Sequence, residues 1–94
     1  MSFFALFYDY VPDYLERRAA LRKAHFAHAT ESMARDEFQM GGAFADPVDK
    51  GLLIFRANDK SVPESFAQND PYVLNGLIKH WEVRAWTVVI GNVD

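Results

Sequence analysis

Cysteine is absent from the 94 residues, which excludes disulfide staples and thiolate metal centres and leaves the redox compartment open. Positive charge is in short supply as well. The 10 Lys and Arg stand against 13 Asp and Glu, no basic run occurs, and a protein that tracks nucleic-acid phosphates is not expected. Long hydrophobic runs are also lacking. The apolar stretch SFFALFY at residues 2–8 meets Asp9, far short of the ~20 residues a spanning helix needs. It has no positively charged flank either, so it reads as a strand and not as a secretory signal. No membrane partner is expected, and the default placement is cytoplasmic. Internal repeats and low-complexity segments are missing too.

What the chain does have is apolar bulk. Half of its residues are hydrophobic and 15% are aromatic, enough to let one domain over 1–94 hold a core at a length where single cores become scarce. The aromatic-rich run at 2–8 suits a strand buried on both faces. Pro12 and Asp13 then open a helical pattern to about Arg35, with proline in the first turn and Asp13 and Glu16 as early acids. Leu15, Ala19, Phe26, Ala29 and Met33 form one stripe on that helix and are expected to be its core face. Residues 38–44, FQMGGAF, read as a strand; ADPVDKG reads as a turn; residues 51–57, GLLIFRA, read as a second doubly apolar strand.

Ser61 and Glu64 have the spacing of a capping box, which predicts a short helix from Pro63 to Asn69. HWEVRAWTVVI at 80–90 alternates, with Trp81, Val83, Ala85, Thr87 and Val89 on one side and Glu82, Arg84, Trp86, Val88 and Ile90 on the other. The order β-α-β-β-α-β is that of an α+β, ferredoxin-like domain. Two helices cover one face of such a sheet, yet several strands are apolar on both. A twofold homodimer packed sheet to sheet is the simplest cover for the second face.

Candidate chemistry is sparse. His25 shares a helical line with Arg18, Leu21, His28 and Ser32, about 80° from the stripe centre, a border position that fits either a boundary histidine or a functional one. His25 and His28 stand three apart, but no third ligand accompanies them, and no metal site is assigned. Arg22 falls inside the apolar arc; it either snorkels outward or meets a carboxylate or an anionic ligand. Asp70 precedes Pro71, which ends the short helix; it either serves as that stop or orients a histidine so that the other ring nitrogen can exchange a proton. Tyr72 is core or pocket wall, and Gly76 permits a left-handed turn.

The stretches RKAHFAH at 22–28 and NDPYVLNGLIKHWEVRAW at 69–86 together resemble the YciI-like (YCII-related) family. Its members carry Arg-x-x-His in the first helix and Asp-Pro-(Tyr/Phe)-x-x-x-Gly ahead of the last strand. GLLIFRA and the Gly41-Gly42 strand end extend the similarity over nearly the whole chain, although Gly42-Ala43 stands where relatives commonly have Gly-Pro. The resemblance implies a dimeric α/β barrel of ferredoxin-like protomers, similar in architecture to muconolactone isomerase. It implies His25 and Asp70 as the catalytic pair, with Arg22, Tyr72 and Gly42 around a small-molecule ligand and no cofactor. Some relatives act as dehydrochlorinases on chlorinated hydroxyquinols. The expectation is a small enzyme using the His-Asp pair for general acid–base elimination or isomerisation on an aromatic or lactone-like acid. The alternative is a dimer that binds or senses a small ligand without transforming it.

Overall fold

Four strands form one antiparallel sheet in the order β2-β3-β1-β4 in the computed structural model, which describes residues 1–91; positions 92–94 of the expected domain lie outside the described residues. The strands are β1 (Ser2–Tyr10), β2 (Phe38–Ala43), β3 (Lys50–Ala57) and β4 (Ile78–Trp86), and the helices are α1 (Tyr14–Arg17), α2 (Arg22–Ala34), α3 (Ser61–Asn69) and α4 (Pro71–Leu74). This is a mixed α+β, ferredoxin-like arrangement. The central pair β1 and β3 owes its position to side chains apolar on both faces. Phe4 faces Phe55 and Leu6 faces Leu53 across the ladder, on the side the helices cover, where Leu6 and Phe55 are wholly buried. Ala5 opposite Ile54 and Phe7 opposite Leu52 occupy the other side.

The expected long helix is interrupted. α1 gives way to a 3-10 turn over Arg18–Ala20, and Leu21 (φ −112, ψ −7) links that turn to α2. The cause is a pair of competing anchors. Tyr14 stacks on Tyr10 at the end of β1 with ring centroids 3.7 Å apart, while α2 is aimed by side chains that dock against α3 and α4. One straight helix cannot meet both, and a 3-10 turn is the usual connector.

The core face of α2 also differs from the expected stripe. Leu15, Phe26 and Met33 are each 51% exposed, and Ala19 is exposed too; only Ala29 of that set is buried. The inner face is the supposed border line, with buried Ser32 and the half-buried His25 and His28. The two histidines can turn inward because they find partners there, whereas the Ser32 hydroxyl is buried without one among the described residues. His28 Nε2 donates to the Phe66 carbonyl at 2.9 Å, which uses it structurally. Hydrophobicity alone therefore inverts the face.

Two boundaries shift for local reasons. Ser61 does not cap α3; its hydroxyl and its backbone N–H both donate to Asp59 Oδ1, and the helix starts at Ser61. It ends at Asn69, as expected from the Asp70-Pro71 step, which also begins the one-turn helix α4 with Pro71 in its first turn. β4 ends at Trp86 instead of Ile90 because Trp86 already pairs with Phe3 and β1 offers almost no chain beyond it. Within β4 the alternation holds: Val83, opposite Leu6, is buried among the core, while Glu82 and Arg84 point to the uncovered side. Gly76 takes φ +76, the left-handed turn that leads into β4. No described helix is long and apolar enough to cross a membrane.

Candidate functional site

Asp70 is the best-buried polar side chain among the described residues, at 0% exposure. The following proline holds its backbone extended (φ −70, ψ 126), which turns the carboxylate back over the start of α4. Three donors meet it there. Tyr72 N–H donates to Oδ1 at 3.0 Å, the N-cap bond of α4. Tyr8 Oη donates to Oδ2 at 2.7 Å, from the middle of β1. His25 Nδ1 donates to Oδ1 at 2.8 Å, from the first turns of α2. A buried carboxylate needs such donors, since removal from water without them is costly.

The bond to Asp70 fixes which His25 nitrogen carries the proton. Nδ1 is committed to the carboxylate, and Nε2 is the nitrogen left for a ligand. Tyr72 fixes the ring plane by stacking on His25 with centroids 3.9 Å apart and an interplanar angle of 5°. Tyr14 meets Tyr72 edge-on at 5.8 Å and continues the wall to Tyr10. Burial, with a smaller contribution from Tyr14, pushes the Tyr72 hydroxyl up to about 12. Tyr8 is raised further, by burial first and then by the charge and hydrogen bond of Asp70. Both phenols are therefore neutral donors across the physiological range.

His25 lines an open cleft of ≈ 470 Å³ between α2 and the β2–β3 side of the sheet, a size suited to a small molecule. Tyr72, Arg22 and Gly42 line the same cleft. Arg22 is exposed at the cleft, its guanidinium lies 5.0 Å from the Phe26 ring centre, and no carboxylate pairs with it among the described residues. Gly42 and Gly41 play different parts. A Cβ on Gly41 would come within 2.7 Å of the Phe38 ring, whereas one on Gly42 would meet nothing within 4 Å. Packing thus requires glycine at 41, and Gly42 leaves open space at the cleft. No group of three or more potential metal-ligating side chains occurs among the described residues.

Tyr8 is the site residue that sequence reasoning missed. It sits in an apolar strand where a tyrosine passes for core, and only the strand's alternation signals that its hydroxyl falls on the helix side. Tyr8→Phe is expected to destabilise the fold by about 1–3 kcal/mol, because the Oδ2 oxygen of a buried carboxylate loses its donor. Denaturant unfolding measures this, and an unchanged midpoint would mean that the bond contributes nothing.

Fold and site together define a small α+β domain with a buried His-Asp pair at the floor of a cleft. The chain belongs to the YCII-related domain family, whose model matches residues 2–87. It is similar to the 5-chloro-2-hydroxyhydroquinone dehydrochlorinase of Burkholderia phenoliruptrix AC1100, solved in complex with 2,5-dihydroxybenzoquinone. The two are 25% identical, with 90% of this chain and 93% of that one covered and a TM-score of 0.76. An uncharacterized NIPSNAP domain protein of Burkholderia xenovorans has the same fold, at 10% identity, full coverage of both chains and a TM-score of 0.61. Comparison with curated protein sequences gave no match.

Proposed function

We propose that this protein is a cofactor-independent enzyme that moves a proton on a small aromatic or lactone-like acid, with His25 as the acid–base group and Asp70 as its orienting partner. The observation that carries this reading is the 2.8 Å bond from His25 Nδ1 to a wholly buried carboxylate, with the ring beside an open cleft. Nε2 takes a proton from the substrate, and the imidazolium that forms keeps its Nδ1–H on Asp70, which offsets the new charge. Returning the proton to a different atom completes an isomerisation. Loss of a leaving group such as chloride from the carbanion or enolate completes an elimination. The similarity to a dehydrochlorinase favours the second outcome.

The working unit in this reading is a homodimer packed through the uncovered sheet face. Phe7, Leu52, Ile54, Ala85 and Trp86 surround a shallow, mostly apolar depression there together with Arg84, and Met40 and Trp86 are 67% and 49% exposed. An apolar sheet face of this kind marks an association surface, and a twofold axis lets it cover itself.

A thermal-shift screen of small carboxylates, phenols, lactones and 2,5-dihydroxybenzoquinone, followed by turnover assays on each stabilising compound, tests the proposal. Ligands that are converted by the wild type and only bound by His25→Ala support it. Ligands that bind and are never converted replace it with a ligand-binding dimer.

A further inference from the structure

The charge of the cleft runs against the charge of the chain. The protein carries 13 acidic residues against 10 Lys and Arg, yet among the described residues no Asp or Glu lines the cleft, whereas Arg18, Arg22 and His25 all do. The described ion pairs of arginine and lysine use Arg17, Arg35 and Lys50. Arg18 and Arg22 instead lie over aromatic rings, 5.7 Å from the centre of Tyr14 and 5.0 Å from that of Phe26. A ring face holds a guanidinium in place without neutralising it. Asp70 cannot serve as their counter-ion from beneath His25, since its oxygens already accept from Tyr8, Tyr72 and His25. The tyrosine wall supplies no negative charge either, because burial keeps the Tyr72 phenol protonated up to about 12.

Two guanidiniums without a carboxylate partner among the described residues thus stand four residues apart at a cleft floored by an imidazole and walled by flat rings. We propose that Arg18 and Arg22 form an anion clamp, and that the molecule the cleft takes is a planar organic monoanion. Its ring lies along the Tyr10–Tyr14–Tyr72 wall, and its charged oxygens face the arginines, which grip such groups with paired N–H donors. The clamp deepens the reading of this cleft as the substrate site and rests on it. It adds a selection rule: ionised acids enter, and neutral isosteres of the same shape are refused.

Benzoate and benzamide, alike in shape and different in charge, test the rule by calorimetric or ligand-observed NMR titration of the intact protein. Benzoate is expected to bind about 10- to 100-fold more tightly, the range for hydrogen bonds to a charged group. In the double variant Arg18→Ala, Arg22→Ala the ratio should fall close to one with benzamide affinity unchanged, and added salt should narrow it in the wild type. Equal affinities, failure of both probes to bind, or a ratio that survives in the double variant would each overturn the clamp. So would loss of a wild-type dimer on sedimentation of the double variant, which would assign the arginines to a subunit contact. Absence of turnover alongside an intact benzoate preference would remove the acid–base reading and leave the clamp standing. Turnover of neutral substrates by the wild type as efficient as that of their ionised counterparts would do the reverse.

Discussion

His25→Ala is expected to lower turnover by about 100- to 10,000-fold, the usual contribution of a positioned acid–base group, with the fold retained. The side chain is 14% exposed and borders an open cleft, so its loss enlarges the cleft and leaves no sealed void. Asp70→Asn should lower turnover through a different route. The amide can keep Oδ1 as acceptor for His25 Nδ1–H and Tyr72 N–H, while its NH₂ donates to the Tyr8 oxygen, so the geometry survives. What is lost is the negative charge that favours the imidazolium. Because Asp70 is wholly buried, this variant should also lose about 1–3 kcal/mol of stability. The double variant should turn over no more slowly than His25→Ala alone, since an orienting group without a histidine has nothing to orient. Steady-state kinetics of the three variants, normalised to folded protein by thermal unfolding, checks this. Multiplicative losses in the double variant would mean that the two residues act separately.

The second large effect concerns assembly. Phe7→Glu should convert a dimer into a monomer or into insoluble material. Phe7 lies between Leu52 and Glu82 on the uncovered face, and a charge enclosed there without a partner costs several kcal/mol. Phe55→Glu serves as the contrast. Phe55 is wholly buried on the helix side, against Phe38 and Phe66 with centroids 5.4 and 5.0 Å away, so its replacement should unfold the protomer itself. Sedimentation and circular dichroism separate the two outcomes. Wild-type protein that sediments as a stable monomer at micromolar concentration would contradict the proposed assembly.

The sheet was legible because two-residue alternation and doubly apolar runs are strong local signals, and β1, β3 and the first part of β4 lie where those signals place them. The ends were less so. Thr87 to Ile90 continue the pattern of β4, but pairing depends on how far β1 extends, which no local pattern in β4 records. The helical face was misread for a related reason. His25 and His28 turn inward because Asp70 and the Phe66 carbonyl wait for them, and those partners are some 40 residues away in sequence. Asp70 and His25 stood out only through the paired family motifs, since spacing alone allowed a helix stop and a boundary histidine. Tyr8 carried no signal beyond its place in an alternating strand. That no carboxylate pairs with Arg18 among the described residues likewise depends on what the fold brings near it, which a one-dimensional pattern does not reveal.

The central claim is that His25 exchanges a proton with a molecule held in the cleft. Solvent deuterium incorporation, followed by NMR on a ligand returned by the thermal-shift screen, reads that step without requiring the complete reaction. The wild type should carry deuterium into a carbon-bound position of the ligand at a rate far above the buffer background, and His25→Ala should bring the rate back to that background while still binding the ligand. Equal incorporation by the wild type and by His25→Ala would contradict the account.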